Sequence, residues 1–115
     1  MEALTRHLAN RVANIRYENL PEKTIKMTKQ YILDYLGVSI RGWTQKNMDI
    51  MSKTLGISKD GTEAVMLNGK KGATNSVLYS AMLNAAASHS QDFDDLHNPS
   101  IIHMACVTVP SALAV

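Results

Sequence analysis

A run of small residues, Ser80 to Ser88, leads straight into the segment H-S-Q-D-F-D-D-L-H-N-P-S-I-I-H, His89 to His103. This junction constrains the fold more than any other stretch. Ala81, Ala85, Ala86, Ala87 and Ser88 permit close helix–helix approach. Three carboxylates, three histidines and a proline then crowd one loop, while charges elsewhere are scattered. An apolar run, Ala105 to Val115, follows. Titratable groups gathered between two helices suit a proton-transfer site better than a plain core.

Apolar periodicity predicts helices around this loop. Thr5 to Arg16 reads as amphipathic, with Leu4, Leu8, Val12 and Ile15 on one face. Leu20-Pro21-Glu22 starts a second helix running to about Ile40, because proline is tolerated in a first turn and Glu22 complements the helix dipole. Its stripe is Ile25, Ile32, Leu36 and Ile40, widened by Leu33, and Gly42 is the stop. Thr44 is the expected cap of a third helix through Met48, Met51 and Leu55, ended by Gly56. Ala64 to Leu67 followed by Asn68-Gly69-Lys70-Lys71-Gly72 reads as a short strand or hairpin near 62–72. Thr74 or Asn75 is the expected cap of the next helix, with Leu78, Ala81, Met82, Ala85 and His89 along one side and Trp43 anchoring a helix end. The fold class is mainly α, a helical-bundle-like arrangement.

Composition narrows the function. Aromatic residues make up 5% of the 115 residues, so aliphatic side chains, Met and Ala must fill the core. A net charge of +2 is too weak to imply nucleic acid or a membrane as partner. Cys106 is the sole cysteine, which excludes an internal disulfide, reads as a buried small hydrophobe and fits a reducing, cytoplasmic compartment. No uncharged apolar stretch is long enough to span a bilayer. The chain stops at Val115 inside an apolar helical pattern, without glycine, basic last turn or polar tail, so residues 1–115 read as part of a larger helical domain with no second domain.

Asp92, Asp94 and Asp95 cannot all point one way in a regular element. Neighbouring carboxylates oppose each other's ionisation, and a carboxyl that keeps its proton near neutrality is what general acid–base work requires. The turn Asn98-Pro99-Ser100 is expected to bring His103 back towards Asp92. His89 and His97 are weaker candidates. Aspartates before a helix also serve as caps, which is the structural alternative. Carboxylates with nearby histidines suit divalent cations, so a metal is an alternative, but the spacing matches no strong ligand motif and the expectation is no metal. No cofactor is expected either.

Three stretches resemble the N-terminal part of the MmgE/PrpD family. Leu20-Pro21 through Lys29, with Ile32-Leu33-Asp34-Tyr35-Leu36-Gly37, is similar to the family's opening helix. Ala81 to Asp95 resembles its N-G-x-A-x-H-x-x-D-F-D-D stretch, with Asn84-Ala85 for Asn-Gly. His103 with Val107 to Ala114 resembles the family's His-Pro-Ser segment and following helix. The resemblance implies a helical domain paired with an α+β domain. It implies metal-independent removal of water or carbon dioxide from small polycarboxylates such as 2-methylcitrate or cis-aconitate, in a homodimer. By position it makes Asp92 and His103 catalytic. It puts Asp95, Leu96 and His97 at substrate, with Asp95 more a support of the loop. Leu96 stands where the family commonly has threonine, and Met104-Ala105 where it has Pro-Ser or Pro-Gly. The isolated chain is expected to be inactive. A non-enzymatic association module and an epimerase or isomerase on the same scaffold are the rival readings.

Overall fold

The computed structural model describes residues 3–55, 62–68 and 74–115. In chain order these form α1 (Leu4–Ala13), a 3-10 turn (Tyr17–Asn19), α2 (Glu22–Gly42), α3 (Lys46–Leu55), β1 (Ala64–Val65), β2 (Thr74–Asn75), α4 (Val77–His89) and α5 (Ala105–Ala114). The fold is mainly α, as the periodicity predicts. Helix α4 is central and packs on α2, α3 and α5. Strands β1 and β2 pair antiparallel, with Ala64 opposite Asn75 and Val65 opposite Thr74. The expected turn beyond Asn68 and the expected stop at Gly56 lie outside the described residues.

Local hydrogen bonding moves several boundaries. Asn14 donates from its amide to the Asn10 carbonyl, and Arg16 donates to that of Ala13. These side chains satisfy carbonyls that a helix end leaves free, so α1 stops at Ala13 rather than Arg16. Thr44 does not cap α3. Its hydroxyl donates to the Arg41 carbonyl and finishes α2 instead. Ser76, not Thr74 or Asn75, caps α4, accepting from the Tyr79 N–H at 3.4 Å, because Thr74 and Asn75 are the second strand.

The buried faces also differ from the apolar stripes. In α2 the buried residues are Tyr35, Ser39 and Gly42, while Leu33 is 72% exposed and Ile40 54%. In α4 they are Ser80, Leu83, Asn84, Ala87 and Ser88, while Leu78 faces out. Small residues win because the backbones approach so closely. An ideal Cβ at Gly42 would lie 1.8 Å from the Ala87 carbonyl oxygen. Glycine here serves contact rather than a left-handed stop.

Buried polar groups on α4 find partners, as they must. Asn84 accepts from the Leu67 N–H at 2.9 Å and the Trp43 indole N–H at 3.3 Å, and donates to the Val65 carbonyl at 2.9 Å. Ser80 donates to the Ala64 carbonyl. The hairpin and the Trp43 corner are thereby tied to the helix that carries His89. Met48, Met66, Leu83 and Ala87 form the apolar core beside them, flanked by Trp43, Met51 and Leu55. Helix α1 buries nothing: Leu4, Leu8, Val12 and Ile15 are all exposed.

Candidate functional site

His89 ends α4, and the chain must turn back to keep the following acids near it. Asp92 does this with a left-handed backbone, φ 51°. Aspartate enters that region more readily than most residues. Its N–H donates to the His89 carbonyl at 3.2 Å. The Asn98-Pro99-Ser100 turn follows, closed by Ser100 and Ile101 N–H groups on the His97 carbonyl and by His97 donating to the Ile102 carbonyl at 2.9 Å. Ile101 has φ 52°. A β-branched residue there is strained by roughly 1–3 kcal/mol. The reversal delivers His103 opposite Asp92.

The three carboxylates take different partners, although Asp92 and Asp94 keep carboxylate oxygens within 4.8 Å of each other. Asp92 points outward, its side chain 80% exposed, and its Oδ1 lies 3.6 Å from His103 Nε2. Asp94 points inward, its side chain 1% exposed. Its Oδ1 lies 3.0 Å from His89 Nδ1 and 3.2 Å from His103 Nδ1. Asp95 turns to α5, accepting from the Ala105 N–H at 2.9 Å and the Met104 N–H at 3.3 Å. It does the work of an N-cap. A buried carboxylate is costly unless it is paired and hydrogen-bonded. His89 supplies the hydrogen bonds to Asp94, and His103 stands beside it at ion-pair distance. The rings lie edge to face, centroids 4.7 Å apart.

Cys106 lies beneath this group, buried, its thiol donating to the His103 carbonyl. Burial first, then the Asp94 carboxylate, pushes its thiol up to about 11. Burial likewise raises the Tyr35 hydroxyl, with Cys106 adding to the effect and Ser39 opposing it. Both groups therefore stay protonated and neutral.

Asp92 and His103 come together, as the sequence leads one to expect. Asp95, Leu96 and His97 do not join them. They line a separate cavity of about 720 Å³ against Thr28, Tyr31 and Ile32 of α2, with Met104 and Thr108. His97 is bonded through Nδ1 to the Ser100 hydroxyl at 2.6 Å. Leu96, in the threonine position, is 48% exposed there. Asp94 was not singled out by sequence, since D-x-D-D does not say which acid turns inward. The one available signal is His89, five residues upstream. Among the described residues, His89, Asp92, Asp94 and His103 are the group that could ligate a cation, their donor atoms all within 4.8 Å of one another.

Comparison with known proteins agrees with these motifs. Over 100 residues the chain is 27% identical to the human (Homo sapiens) cis-aconitate decarboxylase, covering 87% of this chain and 21% of that protein. It is 26% identical over 100 residues to the mouse (Mus musculus) cis-aconitate decarboxylase, covering 87% of this chain and 20% of that one. The chain thus spans about a fifth of the length of these curated relatives. No solved structure matches it significantly. The MmgE/PrpD N-terminal domain matches residues 6–115, and the chain belongs to the MmgE/PrpD family.

Proposed function

We propose that this chain supplies part of the active site of a lyase that removes water or carbon dioxide from a small polycarboxylate without a metal. Asp92 and His103 are the acid–base pair. The observation that supports this most is their placement: Asp92 Oδ1 and His103 Nε2 face each other at 3.6 Å, while the far side of the His103 ring rests on a buried carboxylate. Such a pair holds one mobile proton between two acceptors. In a dehydration, one member takes the proton from the carbon beside a carboxylate and the other gives a proton to the departing hydroxyl. In a decarboxylation, carbon dioxide leaves with its bond electrons left on carbon, and the acid member protonates that carbon. Both reactions need a proton donor and acceptor within reach of one carbon.

Cis-aconitate is the first substrate to assay, because both relatives carry it in their names, and 2-methylcitrate is the second. Polycarboxylate binding calls for several cationic groups, which we place outside these elements. The 115 residues alone are therefore expected to give no turnover. The stripe on α1, with Leu8 52% and Val12 67% exposed, suits burial against another chain, as in a homodimer. The single buried cysteine suits a cytoplasmic setting. The same α1 stripe and Leu96 favour a second reading, a non-enzymatic association module. An epimerase would use the same pair.

The test is carbon dioxide release and dehydration by the protein as its cell makes it. Asp92→Asn and His103→Ala, each folded, are expected to lose at least about 100-fold in kcat. Full activity in both variants would overturn the lyase reading, and an inactive natural product would move the association module ahead.

A further inference from the structure

We propose that Asp94 is a positioning residue that holds His89 and His103 together as Nδ1–H tautomers, which makes His89 a second proton-transfer group beside His103. The tautomers follow from the geometry alone. The catalytic consequence rests on the lyase reading above.

Both Nδ1 atoms lie within 3.2 Å of one Asp94 oxygen. A ring nitrogen without a proton would set its lone pair against a carboxylate lone pair at that distance, inside a site where Asp94 is 1% exposed. Low local dielectric makes that repulsion expensive. His89 Nδ1 must therefore carry the proton, His103 Nδ1 at 3.2 Å from the same oxygen is assigned it on charge alone, and each neutral ring then keeps Nε2 as its acceptor. At His103, Nε2 is the atom that faces Asp92. At His89 it is the free end of a half-exposed ring. The two contacts are not equal. His89 is hydrogen-bonded to both Asp94 oxygens, at 3.0 and 3.2 Å. The buried His103 Nδ1 sits at ion-pair distance but out of line for a hydrogen bond. One carboxylate thus serves two imidazoles, and a small rotation of the His103 ring aligns the second bond. When either Nε2 takes a proton, Asp94 is already in place to balance the imidazolium, as the buried aspartate of a hydrolase triad does.

The test uses the 115-residue chain with 15N-labelled histidine at about pH 8.5, well above the usual imidazole titration near 6.5. Ring 15N shifts distinguish a protonated from a bare nitrogen. His89 and His103 are expected in the Nδ1–H form, whereas exposed His7 on α1 reports the free-ring mixture. Asp94→Asn is expected to shift His103 towards Nε2–H, because an amide N–H can donate to a bare Nδ1. Asp95→Asn, which alters the α5 cap, is expected to leave both rings unchanged. Nε2–H forms at His89 and His103 in the unmodified chain would overturn the inference, and that reading needs no variant to fold. So would unchanged tautomers in folded Asp94→Asn. In the active natural protein, His89→Gln is then expected to cost roughly 10-fold or more in kcat with KM nearly unchanged. The expected tautomers in a natural product without lyase activity would uphold the positioning role and remove only the lyase reading.

Discussion

Replacing Gly42 with alanine tests the contact that fixes α4 against α2. The added Cβ would stand 1.8 Å from the Ala87 carbonyl oxygen, 2.6 Å from its carbon and 3.2 Å from its Cα. All three are backbone atoms, so no rotamer change relieves the clash. Restoring ordinary contact means moving the helices apart by about 1.5 Å, and even a 0.5–1 Å gap forfeits roughly a quarter to a half of each dispersion contact across the seam. Ala87, Leu83 and Met48 are fully buried beside it. Overpacking of this kind costs about 1–3 kcal/mol and more where backbone must move. The intrinsic helix preference for alanine over glycine returns only about 1 kcal/mol. With the cost at the upper end of that range, because backbone opposes backbone, we expect a net loss of ~1–2 kcal/mol, or a fall of roughly 4–16 °C in Tm at 4–8 °C per kcal/mol. Thermal and urea unfolding followed by circular dichroism measures it. Gly37→Ala is the internal control: it is on the same helix, and its Cβ would meet nothing within 4 Å. That variant should gain up to about 1 kcal/mol. A Gly42→Ala protein as stable as the parent would refute the close-approach account of α2 and α4.

Asn84→Leu keeps the volume of a buried side chain but strands the Leu67 N–H, the Val65 carbonyl and the Trp43 indole N–H. At about 1–3 kcal/mol for each unsatisfied buried group, the urea midpoint should fall sharply and the Trp43 fluorescence should change. An unchanged midpoint would mean that these bonds contribute little. Cys106 should resist modification. Its thiol is pushed from 9.0 up to about 11, so at pH 8 the reactive thiolate is about 100-fold scarcer than in a free thiol. Disulfide-exchange reagents should label the folded chain at least that much more slowly than a cysteine peptide, and equal rates would contradict the buried placement. The raised value favours the protonated native state, so its contribution to stability is complete below pH 9 and is lost as pH rises towards 11. The raised Tyr35 hydroxyl acts in the same direction.

The helices were legible because apolar spacing and start signals are local. α2 follows its Leu-Pro-Glu start, and α4 runs through the alanines to His89. The meeting of Asp92 with His103 was legible too, because Asn98-Pro99-Ser100 specifies a turn by its own chemistry. Stripe reading failed where backbones touch. It favoured Leu33, Ile40 and Leu78, which face out, over Ser39, Gly42, Ser80 and Ser88, which are buried. Hydrophobicity ranks large side chains, whereas a seam this tight selects small ones.

Residue type, order and local turn chemistry determined that the chain would be helical and that its acids and histidines would share one loop. Tertiary structure decided which acid does what. Asp92, Asp94 and Asp95 are chemically identical in sequence. The left-handed step at Asp92, the N-terminus of α5 waiting for Asp95 and the two imidazoles closing on Asp94 sent them in three directions. A carboxylate's role depends on the donors and the water around it, and those come from α4 and α5 once they have packed.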